Sequence, residues 1–247
     1  MFFSVSNDNR ALTLSGHIVD KITRVRGALE QDYYETPQPG SGLLAANLLL
    51  QKSSDVIKEW EDIFGVRQNR PYPHASADTA WDVYWKTLHA GCYPDGMDAD
   101  KTKESFEKWY TPFRHMQELS ETSVAVDEIG KSDSGTPARV VAGVGWFGKV
   151  MYKSVKLSVG MVRNRAVAQS DIRAVHRTMF KTDMGYIGLS SRKIKDGDCV
   201  ALFQGGKMPF GIRGKEGEFN IIGDAYVHGI IDGEAFDLAK CEAFEVY

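Results

Sequence analysis

Apolar and polar positions change rhythm several times along this chain. From Thr13 to Val25 they alternate closely enough to predict a strand, or a strand pair broken near Gly16. Gln38 to Gly42 is a turn cluster of Pro, Ser and Gly. Leu43 to Phe64 then carries Leu48, Leu49, Val56, Trp60 and Phe64 at helical spacing. Pro71 and Pro73 interrupt the pattern. Ser76 to His89 reads as a second helix with Ser76 as N-cap and Asp78 in the first turn. Its apolar members Trp81, Tyr84, Trp85 and Leu88 recur in steps of three and four. Lys101 to Ser120, with Phe106, Trp109, Tyr110 and Phe113, is a third helix. Lys131 to Pro137 is a loop by composition, and Val159 to Val175 is a fourth helix. From Thr178 onward the rhythm shortens to strands of a few residues separated by glycine. Turns are expected at Asp183–Gly185, Lys195–Gly197 and Lys215–Gly217. Serial short strands predict a small antiparallel β-barrel or curled sheet. The expected fold is α+β. One domain covers 1–247, with a helical layer at roughly 43–176 packed on the barrel. That layer is inserted between an N-terminal strand segment, 11–26, and a C-terminal barrel segment, 177–235.

Composition narrows the class. Of 247 residues, 43% are hydrophobic and 26% charged, which suits a soluble globular protein. The formal charge of −3 speaks against nucleic acid as a partner, because phosphate binding needs basic surface. The basic run Arg192 to Lys195 sits beside Asp196 and Asp198 and reads as a solvated turn. Cys92, Cys199 and Cys241 have no metal-ligand spacing, so no structural zinc is expected. No apolar run approaches the roughly 20 residues of a membrane span. The N-terminus lacks the basic start of a signal peptide. A reducing, cytoplasmic setting without membrane attachment is expected, with homo-oligomerisation left open.

Cofactor signatures are missing. Gly143, Gly145 and Gly148 have nearly the spacing of a phosphate loop, but Trp146 and Phe147 fill positions that must stay small. No cofactor and no metal are expected. The remaining polar cluster is Asp224, Tyr226, His228, Asp232 and Glu234. On a strand, residues two apart share a face, so Asp224, Tyr226 and His228 are the candidate catalytic group. The structural reading is that His228, before Gly229, ties off a turn. Aromatic residues crowd the helical half. Trp81, Tyr84, Trp85, Trp109 and Phe113, with His89 and His115, are candidates to line an apolar substrate pocket between helices and barrel. The structural reading of the same set is a packed helical layer.

Three segments carry a resemblance. Arg177 to Leu189 ends in Gly185-Tyr-Ile-Gly-Leu189. Asp196 to Arg213 contains Gly205-Gly-Lys-Met-Pro-Phe210. Phe219 to Ala235 contains Val227-His-Gly229 and Asp232-Gly-Glu-Ala235. In this order they resemble the C-terminal region of fungal heterokaryon-incompatibility (HET) proteins. Leu12 to Ile22 and Tyr84 to Leu88 resemble upstream landmarks of that region; Gly91 to Val175 matches none of it. The resemblance implies that the N-terminal HET domain, which carries the family's activity, is absent, and Met1 at the domain edge suggests a natural stand-alone protein. The Val-His-Gly motif also occurs in family members whose catalysis resides elsewhere, which favours a folding role.

Two functions follow as expectations. The favoured one is a cofactor-free enzyme acting on a small apolar fungal metabolite by cyclisation, cycloaddition or isomerisation, where a shaped cavity holds the reacting atoms close. The alternative is a non-catalytic regulatory or protein-interaction module of the heterokaryon-incompatibility type.

Overall fold

The computed structural model describes residues 3–5, 11–28, 54–68, 71–74, 78–93, 96–108, 110–111, 114–115, 118, 173–174, 176–215 and 218–247. Its chain divides into two compact bodies. One comprises Met1–Glu30, Glu59–Cys92 and Ile172–Tyr247, and the other Gln31–Lys58 and Tyr93–Asp171.

The first body is a strand-rich sheet. Its strands are β1 (Phe3–Val5), β2 (Leu12–Ala28), β3 (Arg177–Thr182), β4 (Ile187–Ser191), β5 (Cys199–Phe203), β6 (Phe210–Lys215), β7 (Glu218–Val227) and β8 (Glu242–Val246). Antiparallel pairing runs β2–β3–β4–β7–β6–β5 and returns from β5 to β2, so the sheet curls into a barrel-like form. Among the described residues β1 pairs only with β2, whereas β8 joins β2 antiparallel and β7 parallel. Two strand connections fall at the expected turns, Asp183–Gly185 and Lys195–Gly197; the third expected turn includes 216–217, outside the described residues.

β2 is one strand of 17 residues rather than a pair broken at Gly16. Gly16 is paired on both sides, with Phe203 of β5 and Glu242 of β8. A Cβ there would collide with the Leu202 carbonyl and the Phe203 ring. The glycine thus permits close strand approach, and register shifts in the β5 and β3 ladders let the long strand bend. Alternating residues from these strands fill two apolar clusters. Ile22, Phe180, Val200, Val227 and Ile230 belong to one; Phe203, Ile212, Phe219, Phe244 and Val246 belong to the other. Trp60 is fully buried, and its indole N–H donates to the Gly27 carbonyl at 2.7 Å.

Residues 54–64 and 99–108 are helical; we label them α1 and α3. Between them lies α2 (Ala80–Leu88), which belongs to the strand-rich body. It starts three residues later than the Ser76 cap predicts. Thr79 is the N-cap: its hydroxyl accepts from Asp82 N, and the Asp82 carboxylate accepts from Thr79 N. Asp78 therefore lies ahead of the cap instead of in the first turn. The expected fourth helix, Val159–Val175, and the loop Lys131–Pro137 lie outside the described residues, apart from Arg173 and Ala174 in a turn.

Candidate functional site

The site is built where β7 ends. Val227 is the last ladder residue, and His228 follows with its backbone N–H donating to the Ile187 carbonyl of β4 at 3.1 Å. Gly229 then turns the chain at φ +86°, a conformation only glycine adopts without steric cost. Across from it lies the loop before α2. A bridge joins Pro71 to Thr79, and from this loop the Tyr72 and Asp78 side chains reach the ends of β4 and β7. The capping box fixes the start of α2 and with it the position of Asp78.

The side chains form a continuous chain of polar contacts. Lys86 Nζ donates to Asp78 Oδ1 at 2.6 Å. Asp78 Oδ2 lies 2.9 Å from His228 Nε2, and His228 Nδ1 lies 3.0 Å from the Tyr226 hydroxyl. A carboxylate only accepts, so Nε2 carries the proton. Burial, the largest influence, holds the imidazole pKa below its ordinary value, against the opposing hydrogen bond and charge of Asp78. The ring is therefore neutral near pH 7, Nδ1 is a lone pair, and Tyr226 donates to it. Asp78, shared between Lys86 and His228, holds the tautomer.

Tyr72 adds a second tie. Its hydroxyl donates to the His228 carbonyl and accepts from the Ile187 N–H, both at 3.2 Å. Burial drives its phenol far above the ordinary range, so the hydroxyl keeps its proton. His74 stacks on Tyr186 at 3.7 Å, and its Nε2 donates to the Met184 carbonyl at 2.8 Å.

Of the predicted catalytic group, Tyr226 and His228 come together. Asp224 has a different partner: its carboxylate accepts from Arg177 at 2.5 Å, across the intervening strand β4. Asp224 and Tyr226 both lie within β7 at two-residue spacing, but the Asp224 carboxylate is bonded to Arg177 rather than to Tyr226 or His228. Among the predicted substrate-binding residues, Tyr84, Trp85 and His89 are buried on or just after α2, and Trp81 is half-buried. The Trp85 indole donates to Asp82, and His89 Nδ1 donates to the Trp85 carbonyl. Tyr84 meets Phe64 edge-on. These contacts pack a helix. His115 belongs to the other body, and Trp109 and Phe113 lie outside the described residues.

Asp78, Lys86, Tyr72 and His74 are the residues that the sequence did not point to. The Thr79…Asp82 capping box was a readable signal for the helix start, and so for Asp78 just before it. Nothing local signals a contact between residues 150 positions apart.

Chemically, a carboxylate, an imidazole and a phenol in line at hydrogen-bond distance have the geometry of a proton relay. They are also a fully satisfied buried polar network. Tyr226 is 6% exposed and His228 8%. Among the described residues, no group of three or more His, Cys, Asp or Glu is placed to hold a metal ion, and no helix is long and apolar enough to cross a membrane.

A curled sheet whose fifth strand returns to its second, with a short helix tied to one end, is a barrel-like domain. The family model of the Het-6 beta-barrel domain matches residues 10–246, and the chain belongs to that family. It is also similar to heterokaryon incompatibility protein 6, OR allele, of Neurospora crassa, with 35% identity over 69 residues. That stretch is 26% of this chain and 10% of the relative, so the match spans about a tenth of the relative's length. No solved structure matches the chain.

Proposed function

We propose that this chain is a non-catalytic regulatory or protein-interaction module of the heterokaryon-incompatibility type. One observation carries this reading: both ring nitrogens of His228 are occupied by protein groups, and those groups join segments far apart in sequence. Such a histidine acts as a fastener. With its Nδ1 lone pair held by Tyr226, the imidazole reaches a substrate proton only through that phenol. Family membership and the name of the Neurospora relative favour the same reading over a metabolite enzyme. In this account the barrel is a scaffold, the clasp seats the 71–92 segment on it, and the surface so formed meets a protein partner in the cytoplasm.

The in-line carboxylate, imidazole and phenol favour a rival reading, an enzyme using Tyr226 as a proton donor. The substitution Tyr226→Phe separates the two. It removes the phenolic proton and keeps the ring. The chain and this variant are expressed in a fungal host and scored for cell-fusion compatibility and for extractable metabolites. The module reading expects the wild-type chain to alter compatibility. It expects the variant to act in proportion to its folded fraction. A changed metabolite profile that Tyr226→Phe abolishes, with a loss of roughly 100- to 10,000-fold in turnover, would establish the enzyme instead.

A further inference from the structure

We propose that His228 is a proton-operated latch, which seats the segment Pro71–Cys92 on the sheet when neutral and releases it on taking up one proton. The proposal rests on reading the cluster as a clasp and adds a control to it.

The geometry requires a neutral ring. With the proton on Nε2, Asp78 accepts on one side and Nδ1 accepts from Tyr226 on the other. A second proton must go to Nδ1, directly against the Tyr226 hydroxyl 3.0 Å away. That hydroxyl then has to reverse from donor to acceptor inside a buried site. Charge counting points the same way. Asp78 faces His228 from the loop before α2, and Lys86 faces it from α2. Tyr226 faces it from β7, Tyr72 from the loop, and Glu234 acts from the turn after β7 as a weaker, exposed influence. With a neutral ring, Asp78 and Lys86 cancel. An imidazolium places a second cation on one shared carboxylate in a largely desolvated pocket. Burial opposes protonation most strongly, the Asp78 hydrogen bond and charge favour it, and the Lys86 charge opposes it to a smaller degree.

The latch is one of several ties between the loop before α2 and the sheet. The Asp78–His228 contact and the Tyr72 hydroxyl connect the 71–92 segment to the ends of β4 and β7. When the ring is charged, the segment can leave. Opening lets the imidazolium reach water and bares the Ile187 N–H. For a module that meets a partner, the seated and released forms present different surfaces.

Hydrogen exchange read by mass spectrometry tests this on the full chain between pH 7.5 and 5.0, with intrinsic exchange rates corrected for pH. Peptides covering 72–92 are expected to open more often as pH falls. Below the ring's titration midpoint the opening constant should rise by up to tenfold per pH unit, the limit for one coupled proton. Peptides from β5 and β6 should stay protected. His228→Gln should remove the dependence, and Lys86→Met should raise its midpoint. Should His228→Gln not fold, nitrogen NMR of the wild-type imidazole replaces it, and ring titration and segment opening must share a midpoint. The latch is overturned by pH-independent opening of 72–92, or by a ring that titrates without opening. It is equally overturned by an unchanged dependence in His228→Gln, by a midpoint that Lys86→Met leaves in place or lowers, or by β5 and β6 opening in step with the segment. Failure of the module reading shows separately, as absence of any effect on fusion compatibility, whatever the proton does.

Discussion

Replacing Tyr72 by Phe removes one oxygen and almost no volume, so its effect isolates a single tie between the loop before α2 and the sheet. The hydroxyl serves two backbone groups. It accepts from the buried Ile187 N–H and donates to the His228 carbonyl, each at 3.2 Å. Without it, a buried N–H has no partner from Tyr72, which costs about 1–3 kcal/mol. The carbonyl loses one neutral hydrogen bond, about 0.5–1.5 kcal/mol, softened by its second lone pair. The sum is ~2–4 kcal/mol. In a chain of this length each kcal/mol lowers Tm by about 2–4 °C, so Tyr72→Phe should melt ~4–16 °C lower. Urea unfolding followed by tryptophan fluorescence should show the midpoint falling with the slope unchanged. The phenol stays protonated far above its usual range, so the deficit should be flat from pH 6 to 9. A loss below ~0.5 kcal/mol would refute the reasoning, because it would mean that water replaces the hydroxyl at little cost.

The remaining predictions concern other parts of the same body. The folded pKa of His228 lies below its unfolded value, so the unfolded chain binds more protons in the acid range. Its contribution to stability is complete above about pH 6.5 and is lost as pH falls through the folded value, with a slope of at most ~1.4 kcal/mol per pH unit. Urea titrations at pH 7.5, 6 and 5 should show this slope, and His228→Gln should flatten it. Gly229→Val should cost about 1–3 kcal/mol in the same assay, because φ is +86° and a side chain would press on the His74 carbonyl; an unchanged midpoint would remove the strain argument. Gly188→Ala should destabilise by at least ~2 kcal/mol, since its Cβ would overlap the Tyr226 carbonyl and the Phe180 ring; calorimetry showing native-like melting counts against the close packing described. Arg213→Met should cost about 1–3 kcal/mol, discounted for the exposure of the guanidinium. It strips a bidentate partner from Asp198, which is 3% exposed; a shift under ~0.5 kcal/mol would show that the Lys195 N–H suffices.

The strands after Thr178 were legible because glycine and charged turn residues punctuate apolar runs too short for helices. The turn at Asp183–Gly185 shows the same logic. Gly16 misled because glycine in an alternating run reads as a break, while its actual role is close approach to β5. The start of α2 was misplaced because Ser76 and Thr79 are both acceptable caps. The reciprocal contact with Asp82 decides between them, and a search for the Thr-x-x-acid pattern would have found it. Tyr226 and His228 were legible as a pair from their motif. Their partners were not. Asp78 reads as an ordinary helix-start carboxylate and Lys86 as an ordinary surface lysine. Only the fold brings the loop before α2 against the end of β7. Asp224 was not separable from the pair by spacing, and only the fold brings Arg177 to its carboxylate. The aromatic residues of α2 fit a pocket wall and a packed helix equally well by composition, and Tyr84 and Trp85 are buried.

The central claim is that Asp78 and His228 hold distant segments together as one fastener. A double-mutant cycle on stability tests it most directly, with Asp78→Ala, His228→Ala and the pair measured by urea unfolding at pH 7.5. The account predicts a coupling energy of about 1–3 kcal/mol, because whichever residue goes first already breaks the bond at 2.9 Å. Single losses that add within ~0.3–0.5 kcal/mol would contradict it, since independent residues would then be doing independent things.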